Sequence, residues 1–329
     1  MHAFYTLLFA KADGQMVLDL LLSLPTVQNW ADIQMILKKA CSKKPRDWQL
    51  PVLACKAVGG NNELAVPAAA AIACLQISII LVDDLLDSDP RGEHHRIGMP
   101  ATANLAIAFH AIGLDAIGQG NVNQATKLVA LNSLNRMMLT TAFGQYMDVQ
   151  GPKDEDEYWR IIRNKSCPFF GSALYVGALM GGATPDDALQ MEQFGHLYGE
   201  MIQIHDDLND TMAVPANPDW TLDRAPLPIL FAQVVNHDDN ARFLELRKTI
   251  PDPAALTEAQ TILIRCGAVS YCIDQILRRH QAAQKILRAM STHHKEELED
   301  LLDGVVDPVR KLLEAINIPL TDSLLQPPD

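Results

Sequence analysis

The sequence has little positive charge and no paired-cysteine motif. Lysine and arginine together number 27 against 40 acidic residues, which gives a net charge of −13 over 329 residues. Such a chain repels nucleic-acid phosphates, so we expect no nucleic-acid partner, and any phosphate site must be a local basic patch. The six cysteines form no C-x-x-C pair and no disulfide framework. Free thiols in a reducing, cytoplasmic compartment are therefore predicted.

Strand signals, repeats and linkers are also missing. Alternating polar and apolar residues and hairpin dipeptides do not separate the apolar runs, no fixed solenoid period is found, and no Gly/Ser linker divides the chain. The N-terminal segment lacks a basic leader, so no secretory signal is expected. The run 65–82 is long enough to span a membrane, but Pro67, Gln76 and Ser78 interrupt it and Asp83 ends it. We therefore expect a buried core helix there and no transmembrane segment.

Apolar residues recur at helical spacing through most of the chain, with turn chemistry between the segments. This pattern predicts one all-α domain over residues 1–329, built as a single large helical bundle. The predicted helices cover 15–24, 64–86, 101–118, 124–148, 157–181, 186–211, 226–247, 257–289 and 296–316.

An apolar run in the second of these helices ends in three acids, in the sequence DDLLD. Asp83 and Asp87 are four positions apart and Asp84 and Asp87 three, so their side chains share one helix face, roughly 5–6 Å apart at Cβ. Like charges at this spacing repel one another. A Mg²⁺ ion removes the repulsion, because it takes carboxylate oxygens and keeps positions for water or substrate phosphates. A solvated helix end is the alternative.

A second cluster of the same design makes a metal role the stronger hypothesis. Asp206, Asp207 and Asp210 follow another helical apolar stretch in IQIHDDLND. Two such helices could face each other across a cavity that holds Mg²⁺ and an anion, for which a diphosphate is suited. Basic residues should then lie nearby. The candidates are Arg91, Arg96, Arg224 and Lys165, of which Lys165 stands in a mostly apolar helix.

With these motifs the chain resembles the trans-isoprenyl diphosphate synthases, the polyprenyl synthetase family, from about residue 43 to 232. DDLLD and GEMIQIHDDLND resemble the two aspartate-rich motifs of the family, and DWTLDRAPLPILFA resembles the segment after the second. Gln203, the pair Lys165-Ser166, and Gln145 with Asp148 in GQYMD match further family positions. The resemblance implies an all-α isoprenoid synthase fold around a central apolar cavity.

The chain departs from the family pattern where isopentenyl diphosphate, the acceptor, is bound. The basic G-G-K-R-x-R-P motif aligns with SKKPRDW, where Lys44 keeps its place and Arg46 is a possible substitute. Gln76 replaces a histidine, Ile97 replaces the second arginine of R-R-G-x-P, and Arg224 replaces a lysine. The acids that ionise the allylic substrate are intact, whereas the acceptor site has lost contacts.

The resemblance also implies the roles of the site residues. The catalytic residues would be the six aspartates and Lys165, with Mg²⁺, expected as three ions, on Asp83, Asp87, Asp206 and Asp210. A tail pocket for substrates of about C15–C20 would be lined by Leu75, Ser78, Ile79, Gln145, Phe169 and Phe170. The diphosphates would be bound by Lys44, Arg46, Gln76, Arg91, Arg96, Lys165, Gln203 and Arg224.

Three functions remain open from the sequence. The leading one is Mg²⁺-dependent ionisation of an allylic isoprenoid diphosphate followed by prenyl transfer to isopentenyl diphosphate. A terpene synthase of the same fold would use the allylic diphosphate alone. A catalytically weak partner subunit of a prenyltransferase is the third, and the intact second cluster argues against it. The resemblance also implies a homodimer.

Overall fold

The computed structural model of the protein describes residues 11–43, 46–221, 225–291 and 294–315. Within these ranges the secondary structure consists of α-helices and two short 3₁₀ helices, at Arg46–Gln49 and Pro218–Trp220, with no strand. The all-α prediction is confirmed. The helices are α1 (Lys11–Ser23), α2 (Pro25–Gln28), α3 (Ala31–Ser42), α4 (Leu50–Ala57), α5 (Asn62–Asp87), α6 (His94–Ile97), α7 (Met99–Gly118), α8 (Gln124–Asp148), α9 (Glu155–Lys165), α10 (Cys167–Met180), α11 (Pro185–Thr211), α12 (Leu227–Val234), α13 (Asn240–Arg247), α14 (Pro253–Arg265), α15 (Ala268–Ala289) and α16 (Glu296–Ala315).

Three of the predicted helices are each two helices in the structure. The segment 157–181 is interrupted after α9, and α10 starts with Pro168 in its first turn, where a missing N–H costs no helical hydrogen bond. The segment 226–247 is interrupted between α12 and α13. The segment 257–289 is interrupted at Gly267, whose φ of +89° ends α14 in the left-handed region. Helices α3 and α4 were not predicted from the apolar pattern.

Contacts within the chain define two compact units. Of the described residues, those within 11–138, 169–195 and 289–301 belong to unit 1, and those within 139–168, 196–288 and 302–315 belong to unit 2. In unit 1, α5 packs most extensively on α7, and Gly113 lets α7 approach the Ala71 carbonyl and Leu75 of α5. In unit 2, Trp220, Phe243 and neighbouring apolar side chains of α12–α15 form a core cluster. The single domain over 1–329 stays a prediction.

Helix α5 is the apolar run that ends in the first aspartate cluster. Within the described residues, α5 and α7 are long and apolar enough to cross a membrane by length and composition. Inside the protein, however, 78% of the apolar window of α5 is buried, and 44% of that of α7. A core helix gives the same composition, and the packing of α5 on α7 accounts for it. All six cysteines are free thiols, as predicted.

Candidate functional site

The first aspartate cluster occupies the last turn of α5. The helix begins at an N-cap, where the Asn61 side chain accepts a hydrogen bond from Leu64 N, and it ends at Ser88 with a φ of +52°. Asp83, Asp84 and Asp87 are half-buried, and no basic residue lies in this last turn. A helix C-terminus carries the negative end of the macrodipole, so acids there are disfavoured. The cluster therefore concentrates negative charge where a cation would be stabilised.

The pKa of Asp84 reflects both its burial and this concentration of negative charge. Burial raises the pKa of the Asp84 carboxyl, and the neighbouring carboxylates of Asp89 and Asp83 raise it further. Asp89 itself accepts two hydrogen bonds from the Arg91 guanidinium, at 3.0 and 2.7 Å. Hydrogen bonding to Arg91 lowers the pKa of Asp89 to about 2. Arg91, predicted to bind diphosphate, is thus held by an acid beside the cluster.

A cavity of about 340 Å³ lies beside the first cluster in unit 1, and we call it the α5 pocket. Its wall is largely apolar, with Ile36, Ala40, Trp48, Ile77, Ile80 and Leu81. Its polar groups are Lys39, Lys43, Gln76, Asp84, Arg91 and Glu93. Three cations therefore surround an apolar pocket next to carboxylates. This lining suits a small ligand with an anionic head and a hydrocarbon body.

Gln76 is fixed in the wall of the α5 pocket by two neighbours. Its carbonyl oxygen accepts a hydrogen bond from the Trp48 indole at 2.7 Å, and its amide donates to Asp47 at 2.6 Å. Gln76, one of the predicted diphosphate-binding residues, lines the pocket. The pKa of the Asp47 carboxyl is raised, because the effect of burial exceeds the opposing effect of the hydrogen bond from Gln76. Trp48 and Asp47 were not predicted as site residues.

Lys39, which lines the α5 pocket, and the nearby Arg96 are held in ion pairs. The Lys39 ammonium lies 2.5 Å from Glu93, and the Arg96 guanidinium lies 2.7 Å from Glu93 and 3.5 Å from Asp32. Lys39 and Lys43 are four positions apart at the end of α3, so they share a face. Sequence reasoning missed both lysines because α3 was not predicted. Arg46 is the exposed first residue of a 3₁₀ helix, and Lys44 and Arg224 lie outside the described residues.

The second cluster lies near the end of α11, in unit 2. Asp206 is exposed and Asp210 half-buried, whereas Asp207 is only 7% exposed. The Asp207 carboxylate accepts hydrogen bonds from the Tyr158 hydroxyl, Leu227 N and the Gln203 amide, at 2.7, 2.7 and 2.9 Å. Burial raises the pKa of Asp207 to about 6, against the lowering effect of these hydrogen bonds.

A second cavity, of about 80 Å³, lies in unit 2 and is lined by Lys165, Asp148, Gln203 and Asp207, among others. The Lys165 ammonium lies 2.6 Å from Asp148, and the Ser166 hydroxyl donates to the Gln203 carbonyl oxygen at 2.7 Å. The structure thus brings together Lys165, Asp148, Gln203 and Asp207, which sequence matching had placed in three separate motifs. We call this cavity the α9 pocket.

Close helix packing explains the glycine of the GQYMD motif. A Cβ on Gly144 would overlap the backbone of Asn164 and Lys165 at the end of α9. Only glycine lets α8 pass this closely, and the approach places Asp148, one turn further along α8, beside the Lys165 ammonium. The small residue in the motif therefore positions the ion pair.

The residues predicted to line a tail pocket are buried or half-buried. Leu75 and Ser78 face α7, with the Ser78 hydroxyl donating to the Ala106 carbonyl at 2.8 Å. Ile79 is half-buried. Phe169 and Phe170 are 6% and 8% exposed and meet edge to face, with centroids 5.3 Å apart. In unit 2, Gln145 is buried too, and its side-chain nitrogen has no hydrogen-bond partner among the described residues.

Neither cluster forms a complete metal cage by itself. In the described part of the chain, no group of three or more His, Cys, Asp or Glu side chains is arranged to hold a metal ion. Mg²⁺ does not require such a cage, because it commonly binds one or two carboxylates and completes its shell with water and substrate phosphates. The carboxylates at the end of α5 fit that role, since three of them lie within five residues and burial, with the charges of Asp89 and Asp83, raises the pKa of Asp84.

Comparisons with known proteins agree with these features. A family model described as polyprenyl synthetase matches residues 35–261. The chain is 26% identical over 278 residues to a short chain isoprenyl diphosphate synthase of Methanothermobacter thermautotrophicus, covering 78% of this chain and 84% of that protein. It is also 26% identical to a geranylgeranyl diphosphate synthase of Methanosarcina mazei, over 49% of this chain and 53% of the relative.

The structure is similar to the crystal structure of a geranylgeranyl pyrophosphate synthetase from Pyrococcus horikoshii. The TM-score is 0.77 at 20% sequence identity, and the match covers 91% of this chain and 95% of the other. At this identity the likeness shows the fold alone, and it confirms the predicted isoprenoid synthase fold.

Proposed function

The chain belongs to the polyprenyl synthetase family, and we propose that it is an isoprenyl diphosphate synthase that elongates an allylic diphosphate with isopentenyl diphosphate. The α5 pocket carries this proposal. Its apolar wall and the cations Lys39, Lys43 and Arg91 suit a small isoprenoid with a diphosphate head. A cyclase that uses the allylic substrate alone has no need of a second anion site beside the first aspartate cluster.

The metal ligands we propose are Asp83 and Asp87 in unit 1 and Asp206 and Asp210 in unit 2. Members of this family use Mg²⁺, and we propose three ions in the complete complex. When bound, Mg²⁺ stabilises the negative charge that develops on the leaving diphosphate. Asp83, Asp87 and Asp210 are half-buried and Asp206 is exposed, so none of the four residues is fully buried.

The allylic diphosphate would be bound by Lys165, Arg96, Arg224 and Gln203. Lys165 and Arg96 are held by acids in the structure, Lys165 by Asp148 and Arg96 by Glu93. We propose that the diphosphate oxygens replace part of these contacts on binding. The acids hold the cationic side chains in place beforehand, so less side-chain entropy is lost when the substrate arrives.

The acceptor is bound in the α5 pocket, with Lys39, Lys43 and Gln76 as its contacts. Gln76 is already oriented by Trp48 and Asp47. The lysines of α3 compensate for the family arginine that is Ile97 here. They supply charge-assisted hydrogen bonds from the last turn of α3 and from Lys43, the residue that directly follows this helix. Arg46 and Lys44 would contribute further positive charge.

Replacing Lys43 by alanine should raise KM for isopentenyl diphosphate by roughly 10- to 100-fold, since a charge-assisted hydrogen bond contributes about 1.5–3 kcal/mol and ~1.4 kcal/mol corresponds to tenfold. KM for the allylic diphosphate should stay within about twofold, because Lys43 lines the acceptor pocket. Steady-state kinetics with each substrate varied in turn measures both constants.

Lys38→Ala is the matched control, because Lys38 is exposed on the same helix and does not line the pocket. Equal KM values for isopentenyl diphosphate in the two variants would show that Lys43 does not bind the acceptor.

The tail of the allylic substrate would run along α5, away from the first cluster. We propose products of about C15–C20, because positions 78 and 79 hold Ser and Ile rather than bulky aromatic residues. In Ser78→Phe the ring must occupy space between α5 and α7, where Ser78 is 3% exposed. This variant should shorten the product distribution, measured by chromatography of the dephosphorylated products. Ser78→Ala loses the hydrogen bond to Ala106 without adding volume, so its products should be unchanged. An unaltered distribution in Ser78→Phe would place the tail elsewhere.

We also propose a homodimer in the cytoplasm. Leu139, Phe143 and Tyr146 form an apolar stripe along α8 and are 74%, 48% and 65% exposed. Contiguous exposed apolar side chains of this kind commonly mark an interface. The six free thiols suit a reducing compartment.

Leu139→Asp should convert the dimer to a monomer, because it would bury a charge in the interface. Light scattering coupled to size-exclusion chromatography measures the mass. Ile264→Asp, at a position 58% exposed on α14, should leave the dimer intact. A wild-type monomer, or a dimer that persists in Leu139→Asp, would contradict this interface.

A further inference from the structure

Asp207 differs from its neighbours in the second cluster by being fully engaged with its own chain. Both carboxylate oxygens accept hydrogen bonds: Oδ2 from the Tyr158 hydroxyl and Leu227 N, and Oδ1 from the Gln203 amide. Consecutive residues on a helix point about 100° apart, so Asp206 and Asp207 cannot present their carboxylates in the same direction. Asp206 is exposed, whereas Asp207 is 7% exposed.

The three donors come from three different segments of unit 2. Tyr158 belongs to α9, Gln203 to α11, and Leu227 is the first residue of α12. The Leu227 N–H has no partner inside its own helix, and the Asp207 carboxylate satisfies it. Burial raises the pKa of Tyr158 well above its ordinary value, so its hydroxyl stays protonated and remains a donor. Asp207 therefore joins three helices at one buried point.

The same carboxylate sets the orientation of the Gln203 side chain. The Gln203 amide nitrogen donates to Asp207 at 2.9 Å, which turns the Gln203 carbonyl oxygen toward Ser166, whose hydroxyl donates to it at 2.7 Å. The oxygen and nitrogen of a glutamine amide are assigned from their hydrogen-bond partners. Because the Asp207 carboxylate can only accept, the amide nitrogen must face Asp207 and the carbonyl oxygen must face Ser166. Ser166 directly follows Lys165, and Gln203 and Lys165 both line the α9 pocket.

We propose that Asp207 is a positioning residue that acts through Gln203 and Ser166, rather than a ligand of Mg²⁺. This inference rests on the proposed function, since the α9 pocket is where Lys165 and Gln203 would meet the allylic diphosphate. Asp207 gives the chain of hydrogen bonds from Ser166 to Gln203 to Asp207 a single direction. Without a carboxylate at position 207, nothing holds the Gln203 amide nitrogen toward Asp207. The Gln203 carbonyl oxygen is then no longer fixed toward Ser166.

The Asp207→Asn variant separates the two roles. The asparagine oxygen can still accept from Tyr158 and Leu227 N, but its amide nitrogen now meets the Gln203 amide nitrogen, and Gln203 must turn over. A positioning role predicts that kcat falls by roughly 10- to 100-fold, because a misplacement of a substrate-positioning group by about 1 Å can slow turnover about 100-fold, while KM for isopentenyl diphosphate changes little. Adding Asp207→Asn to the Gln203→Leu variant should lower kcat little further, because the side chain that Asp207 orients has already been removed.

Metal binding gives a readout that does not depend on turnover. Mn²⁺ takes the same oxygen ligands as Mg²⁺, and its free concentration can be followed by electron paramagnetic resonance with inorganic diphosphate present. Asp207→Asn should bind Mn²⁺ as the wild-type protein does, whereas Asp206→Asn should bind it at least ~10-fold more weakly, because it loses a carboxylate ligand. The thermal midpoints of all variants establish that they are folded. Tyr158→Phe, which leaves the carboxylate in place, should also keep full Mn²⁺ affinity.

Loss of Mn²⁺ binding in Asp207→Asn to the extent seen in Asp206→Asn would overturn the positioning role. Additive effects of Asp207→Asn and Gln203→Leu on kcat would overturn it as well. Absence of Mn²⁺ binding in the wild-type protein would count against the proposed metal sites instead, and the double-variant comparison would still decide how Asp207 acts.

Discussion

Replacing Asp83 by alanine should lower kcat for prenyl transfer by about 10²–10³-fold, the effect of removing one group that stabilises transition-state charge. Asp83 lies on the last turn of α5, where the negative end of the helix and neighbouring carboxylates favour a bound cation. Removing one carboxylate weakens the affinity for metal and exposes the leaving diphosphate to repulsion from the acids that remain. Steady-state kinetics with a Mg²⁺ titration measures both effects.

The fold of Asp83→Ala should be intact, because one exchange at the half-buried end of a helix removes repulsion between like charges. Circular dichroism and the thermal midpoint check this. Asp115→Ala provides the control, since Asp115 is an exposed acid on α7. Turnover of Asp83→Ala within about twofold of the wild type, or wild-type activity that survives EDTA, would exclude the proposed metal role.

Replacing Glu200 by alanine should lower the free energy of unfolding by about 3–5 kcal/mol, the cost of removing one partner from a buried ion pair. The Glu200 carboxylate lies 2.8 Å from Arg163 and 2.5 Å from Arg279. Arg279 is 9% exposed, and its guanidinium carbon lies 3.9 Å above the centre of the Trp159 ring. In the variant this guanidinium stays buried without a carboxylate. Urea unfolding followed by far-UV circular dichroism measures the difference.

Glu258→Ala is the matched control for Glu200→Ala, because Glu258 also accepts two hydrogen bonds from guanidinium groups, in this case both from Arg242, at 2.7 and 2.6 Å. That pair is on the surface, so solvent and salt screen it and its loss should not measurably change the unfolding midpoint. Glu200→Gln keeps an acceptor for Arg279 and should be less destabilising than Glu200→Ala. Equal stability of Glu200→Ala and Glu258→Ala would contradict this description of the buried pair.

The apolar pattern predicted the long helices well because their burial decides their structure. α5, α7, α8 and α11 lie close to the predicted ranges, and the predicted end of the first, residue 86, is one residue before Asp87. The helix breaks at Pro168 and Gly267 depend on single residues inside otherwise periodic segments, so the apolar pattern did not predict them. Helix α3 was missed, and with it Lys39 and Lys43, which line the α5 pocket.

The direction of individual side chains was less predictable from the sequence. Spacing placed Asp206 and Asp207 in one acidic cluster, but it could not tell which of them faces the interior of unit 2. That depends on Tyr158 and Leu227, which are 49 and 20 positions from Asp207 in the chain. The partner of Lys165 could not be found from spacing either, because Asp148 belongs to another helix.

Product formation with and without isopentenyl diphosphate tests the central claim most directly. The wild-type enzyme, with Mg²⁺, would receive geranyl, farnesyl or geranylgeranyl diphosphate, and diphosphate release and the extracted products would be followed. An elongating synthase with its acceptor in the α5 pocket predicts linear diphosphates longer than the starter, formed only when isopentenyl diphosphate is present. Hydrocarbons or terpene alcohols made from the allylic diphosphate alone would contradict it in favour of a cyclase. An absence of diphosphate release under every condition would contradict it in favour of a partner subunit.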